Sequence, residues 1–122
     1  MSTVPQPPDA TRLAGLLQMA GDEALLPAGS RLCDEEHAGR RCFVIVEGAA
    51  TVERDGSKLR TLSSGAFVGH VDAGGRPSPP AGVTIRLDVR SRVLVLDPAR
   101  LGALLDAEPA CAGALQHLIS GL

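Results

Sequence analysis

Aromatic side chains are almost missing from this chain, which has two Phe and neither Tyr nor Trp among 122 residues. Proteins that stack the bases of single-stranded nucleic acid need such rings, so that class of binding is excluded. Basic clusters are short too. No Lys/Arg run exceeds Arg40-Arg41 and the net charge is −2, which argues against a nucleic-acid partner. No apolar stretch approaches the ~18 residues of a membrane span. The N-terminus lacks the basic segment and apolar stretch of a secretory signal. Cys33, Cys42 and Cys111 are odd in number and form no CxxC pair, as expected of a reduced, cytoplasmic protein. Cys33-x3-His37-x4-Cys42 lacks the fourth ligand that a structural zinc site needs, so no metal is expected.

What is present is aliphatic. Apolar residues make up 44% of the chain, enough for one small domain with an aliphatic core. Residues 1–8, with Pro5, Pro7 and Pro8, read as a disordered tail, and 9–122 as the domain. Asp9 is placed to cap a helix from Ala10 to Ala20 that carries Leu13, Leu16 and Leu17 on one face and stops at Gly21. From Leu26 to Leu96 the pattern becomes short strands divided by turns. Pro27-Ala28-Gly29 precedes Ser30–Cys33. Cys42–Val46 is apolar on both faces, as a buried strand would be. Asp55-Gly56 joins Ala49–Arg54 to Ser57–Leu62 as a hairpin. Val83, Ile85, Leu87 and Val89 alternate with polar residues, so one face of that strand is expected to be buried. Val93–Leu96 is a further buried run. Phe43, Ile45, Phe67, Ile85, Leu87, Leu94 and Leu96 are the expected core. Asp97-Pro98 combines an N-cap with Pro at the first helical position. That helix carries Leu101, Leu104 and Leu105, and Pro109 opens another. Seven or eight short strands at this spacing indicate a sandwich or barrel.

One segment carries functional information. Gly65-Ala66-Phe67-Val68-Gly69-His70 leaves a short strand and opens a Gly- and Pro-rich loop that returns into Val83-Thr84-Ile85. A turn of this kind cradles phosphate with backbone N–H groups. Its only Lys/Arg residue is Arg76.

From Leu26 to Leu122 the chain resembles the cyclic nucleotide-binding domain family of catabolite activator proteins, kinase regulatory subunits and gated channels. The resemblance rests on Leu26–Leu32 as the opening turn and strand and on Phe43–Val52 as the hairpin with its glycine at Gly48. It also rests on Leu62–Gly69 as the approach to the phosphate-binding cassette, and on Val93–Asp97 with Leu101, Leu104, Leu105 and Pro109 as the exit strand and hinge helices. It implies an antiparallel β-roll of jelly-roll type with flanking helices. It also implies a degenerate ligand pocket at Gly65, Phe67, Gly69, His70, Arg76, Ala81, Gly82, Val83 and Thr84. His70 stands where the family has the Glu that binds the ribose hydroxyl. Ala81 stands where it has the Arg that pairs with the cyclic phosphate. The family's Glu-Gly-Asp turn becomes Glu35-Glu36-His37. Only Val71-Asp72-Ala73 precede Gly74-Gly75, which leaves little room for the cassette helix.

Losing the Arg forfeits a buried charge pair whose disruption costs ~3–5 kcal/mol, and losing the ribose acceptor adds ~1–3 kcal/mol. The expectation is a stand-alone regulatory module that has lost cAMP and cGMP and acts through contact with another protein. His70 then caps or fills the vacated pocket, and the freed 71–82 loop becomes a contact surface. The alternatives are an atypical cAMP sensor with Arg76 as replacement cation, and a sensor of another small anionic metabolite. The stripe Cys111, Leu115, Leu118, Ile119 and Leu122 offers an interface, either to a copy in a homodimer or to a partner. Catalysis is not expected. His37, His70 and His117 form no His-x-His pair, and Ser63, Ser64 and Ser78 have no His or acid at nucleophile spacing.

Overall fold

The computed structural model describes residues 15–37, 39–71 and 76–108. Helix α1 covers 15–20 within these. Ten strands follow: β1 (Gly21–Leu26), β2 (Arg31–Cys33), β3 (Cys42–Glu47), β4 (Ala49–Arg54), β5 (Ser57–Ser63), β6 (Phe67–Val68), β7 (His70–Val71), β8 (Pro77–Ser78), β9 (Thr84–Leu87) and β10 (Ser91–Leu96). Helix α2 (Pro98–Ala107) closes the described chain. The strands form one sheet in the order β1-β10-β3-β6, a second in the order β2-β9-β4-β5, and a small β7-β8 ladder. Every pairing is antiparallel. This is the expected β-roll.

The first sheet separates two cores, and side-chain parity shows how. On β10, Leu94 and Leu96 pack with Leu16, Leu17, Leu101 and Leu105 of the helices. Val93 and Val95, one residue out of phase, pack with Ala50, Val52, Ile85 and Leu87 of the second sheet. On β3, Cys42 and Val44 face the helices, while Phe43 and Ile45 face the interior of the roll. Two-sided burial explains why these runs are apolar at successive positions instead of alternating. It also lets a chain with two Phe assemble enough buried aliphatic surface, at ~25 cal/mol per Å².

Most of the expected core is buried; the departures include Phe43 and, among residues expected on buried faces, Val46 (38% exposed), half-buried Val83 and Val89. Phe43 is half-buried, and Val89 is 48% exposed because β9 ends at Leu87 and the alternation continues past the strand. The chain bends there, and Asp88 accepts a hydrogen bond from Thr51 Oγ1 at 2.8 Å. Strand β1 has no period-two signal in Gly-Asp-Glu-Ala-Leu-Leu, and no element is expected from the sequence between the helix stop at Gly21 and Leu26. It is an edge strand that pairs along its whole length with β10, from Gly21↔Leu96 to Leu26↔Ser91. Asp55 and Gly56 adopt positive φ (51° and 78°) and turn β4 into β5 as the dipeptide predicts. Asp97 caps α2 by accepting from the Ala99 N–H at 3.2 Å. Leu13, the 1–8 tail and the stripe beyond Pro109 lie outside the described residues.

Gly48, between β3 and β4, has φ of 143°, and a Cβ there would come within 2.1 Å of the Oγ of buried Ser91. Gly29 also has positive φ (87°) but faces open space. Urea denaturation of Gly48→Ala is therefore expected to show a loss of at least about 2 kcal/mol, from backbone strain plus overpacking. Gly29→Ala should lose about 1 kcal/mol from strain alone. Equal losses at the two positions would contradict the packing argument.

Candidate functional site

The open end of the roll holds a cavity of about 390 Å³. Its floor and walls are Val52, Leu62, Phe67, Val68 and Ile85, with Gly69, Pro80, Ala81 and Val83 along one side. Ala81 is exposed, Val83 is half-buried and Ile85 is buried, so this side runs from rim to floor. The cavity thus takes in Phe67, Gly69, His70, Ala81 and Val83 of the expected pocket residues.

The other expected residues fall elsewhere. Thr84 belongs to the opposite face of β9, in a polar basin of about 330 Å³ with Arg31, Glu53 and Arg86, because strand parity turns it away from Val83 and Ile85. Arg76 lines a separate groove with Pro77, Pro98, Gly102 and Asp106 against α2, so it is not the cation of this cavity. Gly65 lies exposed in the turn before β6 and donates its N–H to Ile45 O at 2.6 Å. Gly82 does not line the cavity, although its carbonyl accepts from Arg54 Nε. His70 does not fill the pocket. It is an exposed residue of β7, at the rim, and its strand partner is Ser78 of β8.

The segment after residue 75 is not a released loop. Val71 pairs with Pro77 and His70 with Ser78. Cys42 Sγ donates to Ser78 O at 3.3 Å, and Gly39 N–H donates to Pro80 O at 2.9 Å. Arg54 Nε donates to Gly82 O at 3.3 Å, and Cys33 Sγ donates to Val83 O at 3.2 Å. Pro77 and Pro80 are buried. The path from Pro77 to Val83 is therefore tied to both sheets, although it is a strand only at Pro77–Ser78 and turns at Gly82 (φ 76°). Gly69 completes the arrangement, since a Cβ there would meet Ser78 O and the Phe67 ring at 2.9 Å. The cassette-helix positions 72–75 lie outside the described residues.

The pocket expected from the sequence omits the apolar lining at Val52, Leu62, Val68, Pro80 and Ile85 and both arginines of the cavity, Arg54 at the end of β4 and Arg60 on β5. The available signal was parity. Ala50, Val52 and Arg54 share one face of β4, and Leu62 and Arg60 share one face of β5, so the arginines continue the inward-facing rows to the rim.

The cysteines have structural roles. Burial pushes the Cys42 thiol up to about 12, with nearby Asp97 adding to the effect. Burial also raises Cys33 and outweighs the lowering effect of a backbone hydrogen bond at Ile85, with the Asp34 charge adding a smaller upward push. His37 Nδ1 lies 3.0 Å from Asp34, whose carboxyl is held low mainly by the His37 backbone N–H. That carboxylate also accepts from the N–H of Glu36, so it organises the turn the family builds with glycine. Among the described residues, no three His, Cys, Asp or Glu side chains converge as a metal site, and no helix is long and apolar enough to cross a membrane.

A family model for the cyclic nucleotide-binding domain matches residues 23–108, and the chain belongs to that family. Its fold is similar to that of the C-linker/CNBHD of zELK channels crystallized in the presence of cAMP (TM-score 0.72, 15% identity, covering 98% of this chain and 65% of that one). It is similar as well to the cyclic-nucleotide binding homology domain of a KCNH channel in solution (TM-score 0.69, 14% identity, 98% and 94% covered). The Thermus thermophilus Catabolite Activator Protein shares the fold at TM-score 0.67 and 17% identity, with 93% of this chain and 53% of that one covered. The chain thus spans just under two thirds of the first structure and about half of the last. No curated protein sequence matches it at a significant level. Domains of this family are generally regulatory and not catalytic.

The thiol environments give a direct test. A thiol with a raised pKa stays protonated and unreactive at mildly alkaline pH. Site-resolved alkylation of the folded protein at pH 8 should leave Cys33 and Cys42 unmodified, and both should react in urea. Because the folded pKa of Cys42 exceeds its ordinary 9.0, its stabilising contribution is complete below about pH 9 and is lost as pH rises toward 12. Rapid labelling of Cys42 in the folded protein would contradict this environment.

Proposed function

We propose that this domain is a regulatory module that does not take cAMP or cGMP in its family's manner and that acts by contacting another protein. The observation that carries the reading is the pair of side chains at the pocket's two key positions. His70, where the resemblance puts the ribose acceptor, is an exposed rim residue, and Ala81, where it puts the phosphate arginine, supplies only a methyl group. The hydrogen bonds that hold Pro77–Val83 to the rest of the fold through its carbonyls support the same reading, since they fix the course of this backbone without a phosphate. Arg76 offers no replacement, because it faces α2. Catalysis and nucleic-acid binding form no part of the proposal. Its setting is cytoplasmic, and its partner is another protein, or a second copy joined through the stripe of Leu115, Leu118, Ile119 and Leu122.

A second reading, response to a small anion other than a cyclic nucleotide, is favoured by Arg54 and Arg60 at the cavity rim.

Titration calorimetry tests the first reading. cAMP and cGMP at about millimolar concentration should give no saturable heat, corresponding to binding weaker than about −4 kcal/mol. His70→Glu with Ala81→Arg should restore little, because the Pro77–Val83 backbone stays tied to the sheets. Binding at about micromolar by the unmodified protein would overturn the reading.

A further inference from the structure

Among the described residues, three ionisable side chains line the roll cavity, Arg54, Arg60 and His70, and no carboxylate does. The strand faces explain the two cations. On β4 the inward row is Ala50, Val52, Arg54, and on β5 it ends Arg60, Leu62. Val52 and Arg60 are direct cross-strand partners. Each row is apolar deep in the roll and changes to arginine at the rim. One nitrogen of Arg54, Nε, is used on Gly82 O, which fixes the guanidinium against the end of the 77–83 segment. Its two terminal nitrogens keep their donors. Among the described residues neither Arg54 nor Arg60 has a carboxylate partner, whereas Arg92 is paired with both Glu23 and Glu47. Two guanidiniums brought to one rim repel each other unless a counter-charge joins them.

The geometry points to Arg54 and Arg60 as the head-group site for an amphipathic organic anion, whose carboxylate or phosphate lies between the two guanidiniums and whose apolar body enters the cavity. Planar guanidinium forks match the oxygens of such head groups. About 390 Å³ of space walled by Val52, Leu62, Phe67 and Ile85 suits an aliphatic or aromatic body of modest size and offers little to a polar one. The cation has in effect moved from the cassette position, now Ala81, to the neighbouring β4–β5 hairpin of the same sheet. The anchored Gly82 carbonyl links that hairpin to the 77–83 segment, so a bound anion would be sensed by both.

This inference rests on the reading that the pocket does not take a cyclic nucleotide in the family's manner, and the experiment keeps the two apart. Octanoate, phenyl phosphate, octanol, inorganic phosphate and cAMP are titrated separately into the unmodified protein and into Arg54→Gln, Arg60→Gln and the double variant. Both arginines sit on exposed rim positions, so thermal melts should stay close to those of the unmodified protein, and amide spectra confirm the fold of each variant. At least one of octanoate and phenyl phosphate should bind the unmodified protein. Affinity should fall about tenfold for each single variant and about a hundredfold for the double, and should weaken with added salt. Inorganic phosphate and octanol should bind far more weakly than the molecules that combine charge and apolar body. The contrast between octanoate and phenyl phosphate assigns the head group. Octanol binding as tightly as octanoate, undiminished binding to the double variant, or no binding of either amphipathic anion would overturn the inference. cAMP binding would overturn the reading beneath it and is scored independently.

Discussion

A chain with two Phe and no other aromatic residue has to draw its stability from many small aliphatic contacts, and one sheet is made to serve twice. β10 and β3 sit at the middle of the β1-β10-β3-β6 sheet and bury both faces, one against the helices and one against the facing sheet. The helices would have no apolar seat without this sheet, and the roll would have no inner wall. Cys42 and Ile45 on β3, and Val93 and Leu96 on β10, are all fully buried. Gly48 sits against Ser91, where the two strands turn away from each other, so the close approach at that point belongs to the same constraint.

The pocket follows from how the cassette segment joins this frame. Where a ligand phosphate would organise this backbone through its N–H groups, the protein holds it instead through its carbonyls, which accept from donors on other elements. Two buried thiols, one backbone amide and one guanidinium hold four successive stretches of the 77–83 path by their carbonyls. Hydrogen bonds of this sort contribute only ~0.5–1.5 kcal/mol each, but they fix the wall of the cavity before any ligand arrives. In our proposal the anion-binding role passes to side chains on the β4–β5 hairpin, whose ladder shifts register between Val52 and Glu53.

The parts of this account that could be read from the sequence are those governed by local rules. The Asp55-Gly56 turn, the Asp97-Pro98 helix start, the doubly apolar Cys42–Val46 run and the order of family landmarks all gave the β-roll and most of its core. β1 was hidden because its strand character comes from pairing with β10, whereas its own residues show no alternation. Val89 was misplaced because alternation does not reveal where a strand ends. At the site, the losses at His70 and Ala81 were legible position by position. Arg54 and Arg60 were not, because they enter the cavity from strands far from the cassette in sequence. The freedom assigned to the 71–82 loop was also misread for its described part from Pro77 to Gly82. Gly and Pro content says nothing about the thiols of Cys33 and Cys42, which reach its carbonyls from other strands.

The central claim is that the cavity wall is part of the β-scaffold in the ligand-free protein. The amide of Gly39 tests it most directly, because Gly39 lies outside every strand and its N–H donates to Pro80 O across to the 77–83 path. Hydrogen exchange followed by NMR on the ligand-free protein should show this amide slowed by about a hundredfold or more relative to an unstructured chain. Exchange of Gly39 at the unstructured rate, while β3 and β10 remain protected, would contradict the account.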